Sequence, residues 1–192
     1  MGAGEGGQAG EVGGLGYPAI IVKNMEESLE FYRRALGMEL LYTEPNRDDA
    51  ESTQALLHAG GESYLLLIGP TDPELKLAEA SLGVGSMQYL ALNVAGEVMD
   101  RAFFELSTAG AHGSEEIRRG YERLVFLEDP NGVLIVLVAW VTEPPAGMSR
   151  ARVLARAGEL RAALDAPFLE DSHIQQAIAE LSGGEAGRGG VR

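Results

Sequence analysis

The sequence predicts an α+β fold in which two tandem βαβββ modules form one curved, cup-like mixed sheet, followed by two carboxyl-terminal helices. Residues 17–37 read "YPAIIVKNMEESLEFYRRALG", and residues 89–110 read "YLALNVAGEVMDRAFFELSTAG". Each copy runs from a tyrosine through a short apolar strand and an amphipathic helix to a glycine, and Tyr17 and Tyr89 are 72 residues apart. Three strand-like segments follow each copy, and such self-similarity is typical of a duplicated architecture.

The first module is predicted over residues 17–70. Asn24 is placed to cap a helix after the first strand, and Glu27, three residues later, completes a capping box. The segments "MELLYTE", "ESTQALLHA" and "GESYLLLIG" then read as three strands. Gly37 supplies the helix stop, and the helix carries an apolar stripe with helical spacing, made of Met25, Leu29, Tyr32 and Leu36.

The second module is predicted over residues 86–141. It begins with the strand "SMQYLALNV" and continues with a helix that stops at Gly110. The strands "EEIRRG", "YERLVFLE" and "VLIVLVAWV" follow, and the last two are joined by "DPNG" at 129–132. Asp129 is interpreted as a structural turn residue, since an aspartate at this position bonds its own backbone. The predicted helix stripe comprises Met99, Ala102, Phe103 and Leu106.

Two amphipathic helices are predicted over residues 147–182, outside the repeat. Ser172 and Gln175 form a second candidate capping box. We expect these helices to cover a sheet edge or a dimer surface, with a lid over a ligand site as the alternative. Residues 1–16 and 183–192 are rich in glycine and are predicted to be disordered tails. The first helix carries an apolar stripe expected to be buried, made of Val153, Ala157, Leu160 and Leu164.

Composition excludes several classes of partner. The formal net charge is −14, and no cluster of Lys and Arg offers a surface for nucleic acid or for an anionic membrane. There is no cysteine, which removes disulfides, thiolate nucleophiles and zinc–sulfur sites. The start of the chain lacks the pattern of a signal peptide, and no apolar run approaches the roughly 20 residues of a membrane span. A cytoplasmic protein is therefore expected.

Two segments carry a family resemblance. "VKNMEESLEFYRRALGM" is similar to the opening signature of the vicinal oxygen chelate superfamily, and "FLEDPNGVLI" is similar to its closing signature. The superfamily includes glyoxalase I, fosfomycin and bleomycin resistance proteins and extradiol dioxygenases, and the resemblance covers about residues 16–142. It implies a domain over 17–142 whose halves curl into a cup, and a homodimer.

The resemblance also implies a metal site, and this chain departs from it. In the superfamily a histidine usually opens the first strand of each half, and a glutamate lies seven residues after the Asp of the closing turn. Tyr17, Tyr89 and Val136 occupy these positions, and Leu66 or its neighbours replace a further glutamate. A phenol with a pKa near about 10 is a poor ligand at neutral pH, and valine has no donor atom. We therefore expect neither a metal nor another cofactor.

Other residues leave a displaced metal site open as an alternative. His58 lies in a predicted strand in alternation with Gln54, but a hydrogen-bonded strand histidine is the favoured interpretation. His112 and His173 are expected at the surface, and Glu122 and Glu128 are expected to be solvated or paired.

The residues expected to line the cup are mostly aromatic or apolar, which is typical of a small-molecule pocket. The favoured function is metal-free binding of an apolar or aromatic small molecule. One alternative is an enzyme, namely a lyase, isomerase or dioxygenase, which would use either a displaced metal site or acid–base chemistry by Tyr17, Tyr89 or His58. The other alternative is a structural member of the superfamily whose terminal helices bind a protein. Phe126 is included by its resemblance to a ligand-contacting aromatic residue of fosfomycin resistance proteins. The candidate ligand-binding residues are Tyr17, Gln54, His58, Tyr64, Tyr89, Asn93, Phe126, Val136 and Trp140.

Overall fold

The computed structural model describes residues 14–70, 72, 74–76 and 83–186. Most of the predicted amino-terminal tail, part of the linker between the modules, and residues 187–192 lie outside these ranges. The chain divides into two compact units, with the boundary between Leu77 and Ala78. Each unit contains one of the two predicted modules.

The first unit has the predicted βαβββ order. Its elements are β1 (Ala19–Ile21), α1 (Met25–Arg34), β2 (Glu39–Pro45), β3 (Thr53–His58) and β4 (Tyr64–Ile68). The four strands form a mixed sheet in the order β1-β4-β3-β2, in which β1 and β4 are parallel and the other pairs are antiparallel.

Local chemistry sets the ends of α1 as the sequence predicts. The Asn24 side chain accepts a hydrogen bond from the Glu27 backbone N–H at 3.2 Å, which satisfies a donor that the helix itself cannot pair. Gly37 has a φ of +68°, a left-handed conformation that glycine adopts without strain. Within the predicted stripe, Tyr32 is fully buried, whereas Met25, Leu29 and Leu36 are partly buried.

Side chains alternate between two faces of this sheet. The buried face carries Ala55, Leu57, Leu65 and Leu67. The opposite face, here called the open face, is at least partly accessible, and alternate residues of neighbouring strands share it. The register pairs Ala19 with Leu66, Leu56 with Leu66, Gln54 with Ile68, and His58 with Tyr64 on this open face.

The second unit repeats the same topology. Its sheet contains β5 (Leu90–Asn93), β6 (Ile117–Arg119), β7 (Glu122–Glu128) and β8 (Leu134–Trp140), with α2 (Gly96–Thr108) between β5 and β6. The order is β5-β8-β7-β6, and β5 runs parallel to β8. Three stripe residues of α2 are buried as predicted, namely Met99, Ala102 and Leu106.

Backbone hydrogen bonds establish which positions of the two modules correspond. The Val22 N–H donates to the Ile68 carbonyl at 2.8 Å, and the Val94 N–H donates to the Val138 carbonyl at 2.9 Å. Each bond joins the end of the first strand to the last strand of its module. Counting back five residues from each valine places Tyr17 and Tyr89 at equivalent positions, as the 72-residue offset predicts.

The second unit ends in two helices, α3 (Arg150–Ala163) and α4 (Asp171–Ala186). Together with Trp140 of β8 they form an apolar cluster of buried side chains, with Tyr121 and Met148 packed against it. Two glycines continue α4 past residue 182, so the predicted boundary of the terminal tail lies too early. The members that α3 and α4 contribute to the buried cluster are Val153, Ala157, Leu160, Ile174 and Ala177.

Three expectations about these helices are wrong. Leu164 is 67% exposed because α3 ends at Ala163 and the chain turns away through Asp165, whose φ is +51°. The Ser172–Gln175 capping box is not used. Instead α4 begins at Asp171, and Nδ1 of His173 accepts the Glu170 backbone N–H at 3.0 Å. His173 is consequently buried and not at the surface.

No helix within the described ranges combines the length and the apolar character that crossing a bilayer requires.

Candidate functional site

The open face of the first sheet holds four of the candidate binding residues. Tyr17 lies just before β1 and is 57% exposed, while the side chains of Gln54, His58 and Tyr64 are partly buried. The His58 and Tyr64 rings are 5.8 Å apart, as expected for cross-strand partners. This face therefore has a tyrosine at its edge, Tyr17, and both aromatic and polar side chains at its centre.

The polar groups on this face already have partners. Gln54 donates from Nε2 to the Glu44 carboxylate at 2.7 Å. Nε2 of His58 lies 2.8 Å from the Gly61 carbonyl oxygen, which can only accept, so this nitrogen is the donor. His58 is thus the hydrogen-bonded strand histidine that the sequence favours. Its Nδ1 is left as the acceptor of the neutral ring.

On the second sheet, Tyr89, Phe126 and Val136 belong to one face. The register pairs Ala91 with Val136 and Phe126 with Val136. Tyr89 lies two residues before Ala91, immediately before the start of β5. Tyr89 is 40% exposed. Val136 is buried in an apolar cluster with Leu124 and Val138, against which Phe126 packs. This face is the side opposite α2. We call it the open face of the second sheet because it corresponds to that of the first, although its centre at Val136 is buried.

Trp140 and Asn93 lie at one end of the second sheet. Trp140 is 5% exposed, because it packs in the cluster with α3 and α4 and meets the Tyr121 ring edge-on at a centroid distance of 5.3 Å. The sequence predicts Trp140 as a ligand-binding residue, whereas in the structure α3 and α4 pack on its side chain.

A cleft of about 610 Å³ opens at this end of the sheet. Arg150, at the start of α3, makes several polar contacts in this cleft. Its Nη2 donates to both carboxylate oxygens of Glu143 at 2.8 and 2.7 Å, and its Nη1 donates to Oδ1 of Asn93 at 3.2 Å. The guanidinium carbon lies 5.1 Å from the centroid of the Trp140 ring. The cleft is lined by residues 93–97, Asp100, Arg123, Trp140, Val141, Glu143 and Arg150.

The sequence does not reveal the roles of Arg150 and Glu143. Arg150 is 57 residues from Asn93, and no local motif relates the two positions. An arginine at a helix start reads as a solvent-exposed residue, and only the packing of α3 against β8 brings it to the cleft.

A second charged group borders the cleft at α2. Arg123 of β7 binds Asp100 at 2.5 Å and Glu116 at 2.6 Å, and its side chain is largely buried. The hydrogen bonds that Arg123 donates to Glu116, and then the one it donates to Asp100, raise the pKa of Arg123. The same bond from Arg123 lowers the pKa of Glu116. This group joins α2 to the sheet, so we assign it a structural role.

The turn between β7 and β8 has the structural role predicted for it. Oδ1 of Asp129 accepts the backbone N–H groups of Asn131 at 2.8 Å and Val133 at 2.7 Å, and Gly132 has a φ of +77°. Asp129 is buried in this arrangement. Its carboxylate therefore shapes the turn that positions Val136 on β8.

The residues present do not fit a divalent metal ion. Tyr17 and Tyr89 have phenol side chains where the family resemblance implies imidazoles. Leu66 and Val136 have hydrocarbon side chains where it implies carboxylates. Within the part of the chain that the structure describes, no three His, Cys, Asp or Glu side chains are grouped so that they could hold an ion.

Comparison with known proteins agrees with the topology. The family model for the Glyoxalase/Bleomycin resistance protein/Dioxygenase superfamily matches residues 14–137. A protein described as "Probable lactoylglutathione lyase" from Vibrio parahaemolyticus serotype O3:K6 (strain RIMD 2210633) is 27% identical over 126 residues, which covers 61% of this chain and 83% of that protein.

Solved structures share the fold at low sequence identity. A glyoxylase/bleomycin resistance protein/dioxygenase domain from Frankia sp. EAN1pec has a TM-score of 0.59 and 14% identity, and the match covers 68% of this chain and 99% of that one. A mutant of the fosfomycin resistance protein FosX from Listeria monocytogenes, complexed with Mn(II) and 1S,2S-dihydroxypropylphosphonic acid, has a TM-score of 0.53 and 16% identity, and the match covers 66% of this chain and 92% of that one. The family match ends before α3 and α4 begin.

Proposed function

Since the chain belongs to the Glyoxalase/Bleomycin resistance protein/Dioxygenase superfamily, we propose that it binds an apolar or aromatic small molecule without a metal ion. The observation that carries this proposal is the set of residues at the superfamily's metal-ligand positions. Tyr17 and Tyr89 occupy equivalent places in the two modules, and Val136 occupies a third. Three substitutions at once remove the donor set on which metal chemistry depends.

The open face of each unit, considered by itself, supplies groups that such binding needs. Tyr17 and Tyr89 are accessible phenols, and each can donate a hydrogen bond to a ligand oxygen. Tyr64 and Phe126 offer rings, and stacking adds about 0.5–1.5 kcal/mol beyond the burial of apolar area. Gln54 and His58 on the first face, and Asn93 on the second, are the polar groups proposed to orient a ligand. Trp140 contributes to the wall of the cleft beside Asn93, and the buried Val136 supports the Phe126 ring from below.

A second candidate function is an enzyme of the same superfamily. The specific observation in its favour is the similarity to a protein described as a lactoylglutathione lyase. In that case Tyr17, Tyr89 or Nδ1 of His58 would transfer protons, or other side chains would form a displaced metal site. Tyrosine and histidine both serve as general acids and bases in enzymes.

Native mass spectrometry and elemental analysis of protein purified without chelator test the proposal together. We expect a co-purified small molecule and far less than one equivalent of iron, manganese, nickel or zinc. Tyr17→Phe should retain less of that molecule, by about fivefold, which is the scale of one net hydrogen bond. Near-stoichiometric metal that is lost with an activity on chelation would instead support the enzyme.

We also propose that the protein is cytoplasmic and forms a homodimer, and membership of the superfamily supports the dimer. Sedimentation velocity at micromolar concentration should show a species of about twice 20.4 kDa. A single species of 20.4 kDa would refute the dimer, and recovery in a membrane fraction would refute the location.

A further inference from the structure

The amino-terminal end of α3 reaches Asn93, one of the candidate binding residues, through the side chain of Arg150. Asn93 is the last residue of β5, the edge strand that also contains Ala91 and that Tyr89 immediately precedes. Arg150 belongs to the helical extension that lies beyond the family match. The extension therefore contacts the binding face proposed above at a defined polar atom.

The chemistry of the contact determines which way the Asn93 amide faces. A guanidinium has five N–H donors and no acceptor, so only the carbonyl Oδ1 of Asn93 can bond to it. The distance from Nη1 of Arg150 to that oxygen is 3.2 Å. The Nδ2 group, with two donors, makes no hydrogen bond to any described residue, and Asn93 is exposed in the wall of the cleft.

Arg150 is itself held in place from two sides. The Glu143 carboxylate accepts two hydrogen bonds from Nη2 of Arg150, and it also accepts one from the backbone N–H of Trp140 at 3.4 Å. The guanidinium lies over the Trp140 ring, where a cation–π attraction favours it. A guanidinium fixed in this way keeps its Nη1 directed at Asn93.

The charges around the cleft indicate whether the Nδ2 group of Asn93 would bind a neutral or an anionic group of a ligand. Three carboxylates line the cleft, from Glu97, Asp100 and Glu143. The two arginines that line it, Arg123 and Arg150, are already paired with carboxylates. A ligand carboxylate would be repelled by this excess of negative charge, whereas an uncharged carbonyl would not.

We propose that Arg150 positions the Asn93 amide so that its NH₂ group recognises an uncharged carbonyl oxygen on an aromatic ligand. This inference rests on the proposed binding function and narrows its ligand class to neutral aromatic carbonyl compounds. Arg150 acts through Asn93 and is a positioning residue, and Asn93 is the group that contacts the ligand. The terminal extension thereby takes part in recognition as well as in packing.

Three probes that differ in one substituent test the proposal on the full chain. They are 2-acetylnaphthalene, its hydrocarbon isostere 2-isopropylnaphthalene, and 2-naphthoate, with dissociation constants measured by saturation-transfer NMR titration. We expect the wild-type protein to bind the ketone about threefold to tenfold more tightly than the hydrocarbon, the range of one net hydrogen bond, and to bind the carboxylate more weakly than the ketone.

The variants separate recognition from folding. Asn93→Asp keeps the size of the side chain but removes the donors, so the ketone-to-hydrocarbon preference should fall to about one. Arg150→Met should reduce the preference because the amide can then turn, and Arg150→Lys, which keeps one donor, should retain part of it. The neighbouring exchange Arg152→Met is the matched control and should leave the preference unchanged.

The outcomes distinguish this inference from the proposed function. If the wild-type protein binds none of the three probes, both are overturned. If it binds ketone and hydrocarbon equally, or if Asn93→Asp keeps the wild-type preference, the role of Asn93 is overturned while aromatic binding stands. A preference unchanged in Arg150→Met overturns the role of Arg150. Should Arg150→Met melt early, the ratio in Arg150→Lys decides that role instead.

Discussion

A chain that ends at Pro145 is expected to lose on the order of 4 kcal/mol of unfolding free energy in the second unit. The cut removes α3 and α4, and with them the side chains that cover Trp140 and Tyr121. Trp140 is 5% exposed in the full chain, so an indole would become accessible to water. Because a domain is stable by only about 5–15 kcal/mol, the shortened chain should unfold or aggregate near physiological temperature.

Thermal melting followed by circular dichroism measures this loss, and intrinsic fluorescence reports it separately. Trp140 is the single tryptophan, so its emission should shift to longer wavelength in the shortened chain. A chain that ends at Ala186 is the matched control, since it retains both helices, and it should melt like the full protein. Equal melting of the full chain and the chain that ends at Pro145 would show that the helices do not support this unit.

The second large effect is expected at Gly120, in the turn between β6 and β7. A Cβ at this position would lie 2.4 Å from the Leu169 carbonyl oxygen, in the segment that joins α3 to α4. The φ of +62° adds strain for any residue with a side chain. Gly120→Ala should therefore destabilise the second unit by about 3 kcal/mol and displace the terminal helices.

Gly110→Ala is the control for the backbone strain alone. Gly110 has a φ of +80°, but a Cβ there would meet no atom within 4 Å. Its replacement should cost about 1 kcal/mol. Chemical denaturation of both variants gives the difference, and equal losses would mean that the Leu169 backbone moves aside freely.

The sequence alone determines much of the fold, wherever the decisive interactions are local. The Asn24 cap, the left-handed Gly37 and the Asp129 turn each depend on residues within about four positions, and the structure confirms all three. The duplication can also be predicted from the sequence, because the same strand–helix pattern occurs twice at a fixed offset. The two copies are therefore expected at equivalent positions of two similar sheets. The resemblance then leads to the correct superfamily.

The limits of local reasoning are seen in the terminal helices. The periodicity predicts a buried Leu164, but the helix ends one residue earlier and leaves that side chain in solvent. A capping box at Ser172 and Gln175 matches the usual pattern, yet the buried His173 provides the acceptor for the Glu170 N–H. The residue at which a helix ends depends on which turn the tertiary packing favours. A local sequence pattern cannot decide between two neighbouring residues as the helix end.

For the candidate site too, some features follow from the sequence and others only from the tertiary structure. The residue types at positions 17, 89 and 136 are determined by the sequence, and with them the loss of the superfamily's ligand set. Only the tertiary structure places Trp140 under α3 and α4, and only it brings Arg150 to Asn93 across 57 residues. The physical reason is that a hydrogen bond between distant residues follows from how whole elements pack, whereas a missing donor atom is a property of the residue itself.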